Sequence, residues 1–449
     1  MNEPKPTVEI RDLAHGGAGV GKAVDSDEQR VWFVEGALPG ERVAVARDAE
    51  HKRWLRGHTL EVLTAAPERV EPPCPIADRC GGCGWQHVDP AAQARFKAGI
   101  VAGQLRRVPG IDKLEIKAVA SPAALGYRRR ARVHYRRDPE LEGGLVLGFY
   151  GQRSHEIVDN RECVVLDPAL DWAIQQLRRW VEFLPESGTV HGLSNGVEVV
   201  LGLPAVRHSN QLEAAIREVV DTSIAAAEAA ALGEVPVLVG VQLRGGRDRV
   251  GVGRTWLELD GDGATPPVVQ GPFTFSQAQA EQNTALIEHV VAMARPAERK
   301  VLELHAGVGN FTRLLARSAK RVWTIDGDRE AVANLQRTAE RWGLSINAKR
   351  GEAEKMLGKL VAGDRHYDVV VCDPPRSGIG VQAARDLIQV ANERIVYVSC
   401  DPATLARDLG EMVKAGSPFV LEDLRVFDMM PMTAEVEVVA TLVRARAHG

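Results

Sequence analysis

Two groups near the carboxyl end have the types and setting for covalent chemistry on a pyrimidine ring. The stretch VYVSCDPATLARD places Cys400 where a strand pattern stops and a helix pattern starts. A thiol just before a helix amino terminus is expected to have its pKa lowered, because the helix dipole favours the thiolate. Glu435 and Glu437 begin an otherwise apolar strand and share one face by the period of two. Carbon 5 of a pyrimidine such as uracil is a feeble nucleophile. Addition of a thiolate at carbon 6 makes an enolate whose carbon 5 can attack an electrophilic methyl. The proton left on carbon 5 must then go to a positioned base before the thiolate can leave. Cys400 suits the first task and a carboxylate on the closing strand suits the second. Cys372, beside Asp373, reads instead as a core thiol.

A crevice for an adenosine-type ligand is legible upstream. In VLELHAGVGNF a buried strand ends in a turn at Gly307 and Gly309, and a helix begins near Asn310. Absent side chains let a ligand approach the backbone at the strand carboxyl ends. The next strand ends at Asp326 in WTIDGD, about twenty residues on, where a carboxylate can accept hydrogen bonds from ribose hydroxyls. The fourth strand ends in CDPPRSG, a rigid corner that projects Asp373 into the same crevice and favours methyl transfer over hydride transfer. Adenine amino-methyltransferases typically carry an aromatic residue after the two prolines, and RNA cytosine-5 enzymes a cysteine in this loop. Arg376 disfavours both.

Cys74, Cys80 and Cys83 share one glycine-bearing loop, CPIADRCGGC, and Cys163 follows in DNRECVVLDP. Zinc sites with four cysteines usually come as two Cys-x-x-Cys pairs. The three-plus-one spacing is closer to iron-sulfur ligation, and zinc stays open as the alternative.

The elements that must position these groups fall into three stretches. From Phe273 onward strand and helix signals alternate, as in a doubly wound parallel sheet that closes with an antiparallel pair. Residues 7–64 read as short strands of a small antiparallel OB-type barrel, with GGAGVG as a turn, since it opens no helix. Between them lies a mixed α/β region, entered through the linker APERVEPPCP, in which DPALDWAIQQLRRWVEF reads as a helix. The expected domains are 1–66, 67–270 and 271–449.

The chain has 449 residues, 45% hydrophobic and 26% charged, as in an ordinary folded protein. Its net charge of -4 gives no global attraction to nucleic acid, so a local patch must do that work. YRRRARVHYRR, Tyr127 to Arg137, has six arginines and no acidic residue. Six cysteines without a disulfide pattern, no signal core and no uninterrupted apolar span lead to a cytoplasmic expectation, with no membrane partner.

At these residues the chain resembles the RNA uridine-5 methyltransferase family, over Phe273 to the carboxyl terminus and, through its other motifs, most of its length. The resemblance implies a Rossmann-like class I methyltransferase domain behind an amino-terminal TRAM barrel and a mixed α/β central domain. It implies S-adenosylmethionine as methyl donor, bound by Gln277 of FSQ, His305, Asn310, Asp326, Glu352 and Asp373. It gives Cys400 as nucleophile and, from the pattern Pro431-x-Thr433-x-x-x-Glu437, Glu437 rather than Glu435 as base. It also implies that Cys74, Cys80, Cys83 and Cys163 hold a 4Fe-4S cluster that fixes the loop.

The implied partner is structured RNA, with ribosomal RNA favoured, transfer RNA the alternative, and a monomeric enzyme. The target uridine must be flipped out or lie in a loop. The arginine strand would contact phosphates, with Tyr127 or Tyr135 to stack. A catalytically silent RNA-binding or assembly factor and a zinc-stabilised regulator are the rival readings. Departures from the family pattern are Gln279 for an asparagine, His305-Ala306 for Phe-Cys, Asp401 for an asparagine, and Met432 and Glu435 for histidines.

Overall fold

The computed structural model describes residues 5–445 other than 25–27, 231–234, 247, 262 and 264. Alternating apolar residues fold the first segment into β1 (Thr7–Leu13), β2 (Gly19–Ala23), β3 (Val31–Glu35), β4 (Arg42–Glu50) and β5 (Trp54–Thr64). They close into a barrel in the order β1-β2-β3-β5-β4, filled by Val8, Ile10, Trp32, Val34 and Val43. The expected barrel is present with one difference: β3 and β5 run parallel. The glycine run is a turn only in its first half. Gly16 and Gly17 both have φ of 87°, and Gly19 already belongs to β2.

Next come α1 (Pro90–Leu105) and β6 (Lys117–Val119). Asp89 caps α1 by accepting from Ala91 N, and a proline opens the helix. A seven-stranded sheet follows, ordered β13-β12-β11-β10-β7-β8-β9. Its strands are β7 (Arg130–Arg137), β8 (Leu145–Tyr150), β9 (Ile157–Asp159), β10 (Ser187–Ser194), β11 (Glu198–Pro204), β12 (Val237–Gly245) and β13 (Asp248–Gly253). Helices α2 (Pro168–Gln175) and α3 (Asn210–Ala229) cover one face, where Ala131, Val133 and Tyr135 of β7 join Leu170, Trp180 and Ile216. The segment expected as one long helix changes at Gln176 to a 3-10 helix ending at Phe183. That winding stacks Leu177 and Trp180, three residues apart, onto the same buried line.

After the hairpin β14 (Leu257–Leu259) and β15 (Val268–Gln270) come α4 (Ala280–Ala294), β16 (Lys300–Leu304), α5 (Thr312–Leu315), β17 (Arg321–Asp326) and α6 (Arg329–Trp342). Then follow β18 (Ile346–Arg350), α7 (Ala353–Ala362), β19 (Tyr367–Cys372), α8 (Gly380–Val390), β20 (Ala391–Ser399), α9 (Pro402–Met412), β21 (Phe419–Phe427) and β22 (Glu437–Arg444). The sheet order is β18-β17-β16-β19-β20-β22-β21-β6. Strands β16 to β20 are parallel, while β22 is antiparallel to both neighbours, as the two adjacent strand signals at the end of the sequence implied. Helices on both faces explain the unbroken apolar runs: Val369 to Cys372 and Ile395 to Val398 have no exposed surface. Residues 90–119 join this sheet. β6 pairs with β21, and Val101 and Leu105 of α1 share a core with Leu405 and Leu409. Among the described residues no helix is long and apolar enough to cross a membrane.

Candidate active site

The strand order reverses between β16 and β19, which opens a crevice at the carboxyl ends of the strands. Gln277, His305, Asn310 and Asp373 line it together with Phe275, Asn283, Gly307 and Asp260. His305 takes the left-handed conformation, φ 58°, and its Nε2 lies 3.3 Å from Glu354 Oε1. The helix expected at Asn310 is a single turn, α5, starting at Thr312. Asn310 exchanges amide hydrogen bonds with Asn283, at 2.9 and 3.0 Å. Asp326 meets the crevice through the backbone: Oδ2 accepts from Gly307 N at 2.8 Å and Oδ1 from Asp328 N at 2.7 Å. Glu352 does not line the crevice itself but follows Gly351, whose N–H donates to Asp326 O at 2.8 Å. It precedes α7, is largely exposed, and pairs with Lys355 at 2.7 Å. Gln279 faces away as well, accepting from Ser121 Oγ at 2.7 Å.

Cys400 directly follows β20, and Asp401 caps α9 by accepting from Ala403 N (3.0 Å) and Thr404 N (2.8 Å). The expected lowering of the thiol pKa is not found. Burial, and then the carboxyls of Glu437 and Asp373, push Cys400 up to about 12 against the opposing pull of Arg376. The helix terminus is already satisfied by Asp401, so it has little left to offer the sulfur. Glu437 is buried and Oε1 has no hydrogen-bond partner; burial, with Asp373 and Glu435 adding to it, raises its pKa well above the usual range. Burial raises Asp373 to about 7. The two glutamates that share a face on paper differ here. Glu437 is inside, whereas Glu435 is partly exposed and ion-paired with Arg376.

Several participants carried no signal of their own in the sequence. Asp260 reaches the crevice from the middle of the chain, and so does Arg129, whose arginine-rich stretch was expected at RNA phosphates and not here. Arg376, which in the sequence only set this chain apart from other enzymes, is ion-paired with Glu435, and its positive charge acts on Cys400. Glu303, under the glycine turn, is fully buried, accepts from Thr312 Oγ1 at 2.5 Å, and is raised by burial to about 8. Only the glutamate's place inside VLEL could have flagged it.

All six cysteines are free thiols. Cys83 and Cys163 pack into one apolar cluster with Tyr127, Val165 and Met432. Burial, and next the charge of Cys163, push Cys83 up to about 12, and Cys74 and Cys163 each interact with Cys80. Among the described residues no three histidine, cysteine or acidic side chains are gathered tightly enough to hold a single metal ion.

The open face of β7 carries Arg130, Arg132, His134 and Arg136, of which Arg132 and Arg136 are exposed. The stacking tyrosines expected there are unavailable. Tyr135 points into the core, and Tyr127 is buried with its hydroxyl donating to Pro431 O at 2.9 Å. Period-two alternation, applied strictly, puts Tyr135 with Ala131 and Val133. Tyr150 is exposed instead and stacks on His134, ring centroids 3.9 Å apart.

Residues 267–445 match the family model described as tRNA (Uracil-5-)-methyltransferase. The 23S rRNA (uracil(1939)-C(5))-methyltransferase RlmD of Stenotrophomonas maltophilia is 32% identical, over 96% of this chain and 96% of its own. The enzyme of the same description from Alkalilimnicola ehrlichii is 33% identical over 97% and 96%. In fold, the chain is similar to the Pyrococcus abyssi tRNA (uracil-54, C5)-methyltransferase solved with S-adenosyl-L-homocysteine, at a TM-score of 0.72 and 22% identity over 98% of this chain and all of that one. Given a curated relative at that identity along nearly its whole length, the chain belongs to the RNA (uracil-5-)-methyltransferase family.

Proposed function

We propose that this protein transfers the methyl group of S-adenosylmethionine to carbon 5 of one uridine in 23S ribosomal RNA, through a transient bond between Cys400 and carbon 6. The observation that carries this reading is the meeting of Cys400, Glu437 and Asp373 beside the crevice of Gln277, His305 and Asn310. S-adenosylmethionine, held by those three with Asp326, Glu352 and Asp373, would supply the electrophilic methyl. Cys400 adds to carbon 6, and carbon 5 takes the methyl. Glu437 then removes the carbon 5 proton; that C–H electron pair forms the carbon 5–carbon 6 double bond as the C–S bond breaks and its electrons return to sulfur. The positive charge of Arg376 stabilises the thiolate of Cys400 against its acidic surroundings.

In this reading residues 1–66 and 67–270 hold RNA, 271–449 perform the chemistry, and residues 90–119 buttress the catalytic sheet. The enzyme works as a cytoplasmic monomer. Cys74, Cys80, Cys83 and Cys163 would hold a 4Fe-4S cluster. What supports a cluster over zinc is the all-thiol donor set in a three-plus-one arrangement along the chain, with Cys83 and Cys163 in apolar surroundings. When bound, it would cross-link the loop to the segment after β9.

Mass-spectrometric mapping of methylated uridines in RNA from cells lacking this gene tests the reading. One 23S uridine is expected to lose its methyl. Loss confined to transfer RNA, or no loss at all, overturns it.

A further inference from the structure

The loop that joins β21 to β22 delivers Glu437, and residues outside the sheet grip it. Met432, five positions before Glu437, sits in the left-handed conformation at φ 64° although it is not glycine. Such a backbone persists only where its surroundings over-determine it. Both of its backbone groups are captured: Met432 N donates to Gln93 Oε1 of α1 at 2.8 Å, and Met432 O accepts from Trp85 N of the cysteine loop at 2.9 Å. Gln93 is wholly buried, and its amide nitrogen donates to Val88 O at 3.0 Å, which ties α1 to the cysteine loop. Lys97, one turn on, anchors the same loop at Asp428 and at Met430 O, 2.5 and 3.0 Å away. Gly17 of the barrel closes the packing, since a Cβ there would collide with both Trp85 and Ala434.

From this geometry we infer that Gln93 and Trp85, acting through Met432, are positioning residues for Glu437, so that α1 and the cysteine loop set the rate of the proton removal that releases the product. The inference rests on Glu437 being the base. Among the described residues, the hydrogen bonds of the clamp go to neither Cys400 nor the residues that line the cofactor crevice. Loss of the clamp is therefore expected to slow the last step and spare the earlier ones. A misplacement of about 1 Å can cost roughly 100-fold in rate.

The test uses the full-length enzyme with Gln93→Met, which keeps volume but removes both hydrogen-bonding atoms, and Met432→Val, whose branched side chain opposes a left-handed backbone. RNA bearing 5-fluorouridine at the target reports attack and methyl transfer alone, because fluorine cannot leave as a proton. Both variants are expected to form that adduct at the wild-type rate. On ordinary RNA they are expected to turn over roughly 10- to 100-fold more slowly while a denaturation-stable methylated adduct accumulates. Slower turnover without adduct, unchanged turnover, or loss of the fluorouridine adduct in both variants overturns the inference. Glu437→Gln serves as the reference. If it traps adduct and the clamp variants do not, only the positioning role falls. If it traps none, the base assignment falls and takes the positioning role with it.

Discussion

Cys400 and Glu437 stand opposite each other at the rim of the sheet. Ser399 pairs with Val438 across β20 and β22, and because these strands are antiparallel the next residue outward on each is Cys400 on one and Glu437 on the other. A parallel closing strand would carry its first residue to the far end of the sheet. The reversed β22 brings the Glu437 carboxyl to the side where the parallel strands deliver the Cys400 thiol and the crevice.

The reaction is expected to accelerate with pH. The proposed mechanism needs a thiolate at Cys400 and a carboxylate at Glu437, and both groups have raised pKa values, the thiol at about 12. Below a raised pKa the required basic form falls about tenfold per unit, so log kcat/KM should climb with a slope of about one or more between about pH 6 and pH 9. Single-turnover assays on short RNA would measure it. A flat or falling profile contradicts the electrostatics of the site.

Stability should run the other way. Glu303 titrates at about 8 when folded against an ordinary 4.5, so the folded state binds the extra proton between these values. The stabilisation is complete below the unfolded pKa and is lost as pH rises through the folded one. Thermal unfolding is expected at lower temperature at pH 8 than at pH 5, with a smaller difference in Glu303→Gln. An equal difference in that variant would assign the effect elsewhere.

The arginine strand makes a separable prediction. Arg132→Ala and Arg136→Ala remove exposed charges and should each reduce the salt slope of RNA binding by about one. Arg130, half-buried with its guanidinium over the Phe275 ring, should affect more than charge. Binding measured across a salt series separates the two, and an unaltered slope for Arg132 and Arg136 removes this face from the RNA path.

Much of this was readable in advance because the signals are local. A strand ending in glycines, a strand ending in Asp-Pro-Pro and a strand ending in Ser-Cys-Asp-Pro each define their own end of the sheet, and the carboxyl ends of parallel strands must share one side. What escaped was set by distant contacts. Lys97 reads as an ordinary helix lysine until Asp428, far along the chain, is packed against it. The ionisation of Cys400 depends first on its burial and then on the carboxyls of Glu437 and Asp373, which come from other parts of the sheet, so a rule about helix ends gave the wrong sign. Tyr135 is turned into the core by strand alternation with Ala131 and Val133, and Tyr127, ahead of β7, is held inside by a distant contact with Pro431 O.

The buried pair itself is testable. Lys97→Met should destabilise the protein by roughly 3–5 kcal/mol, because it strands Asp428 without a partner inside the protein. The double variant with Asp428→Leu should recover most of that loss in chemical denaturation. A single variant as stable as wild type would mean that the pair is replaceable.

The account's central claim is a sulfur–carbon bond that Cys400 forms and Glu437 allows to break. Incubating the enzyme with target RNA and methyl-labelled S-adenosylmethionine, then separating under denaturing conditions, tests it most directly. Glu437→Gln is expected to give a labelled protein–RNA adduct, and Cys400→Ala neither adduct nor product. Methylated RNA released by the Cys400→Ala enzyme would contradict the account.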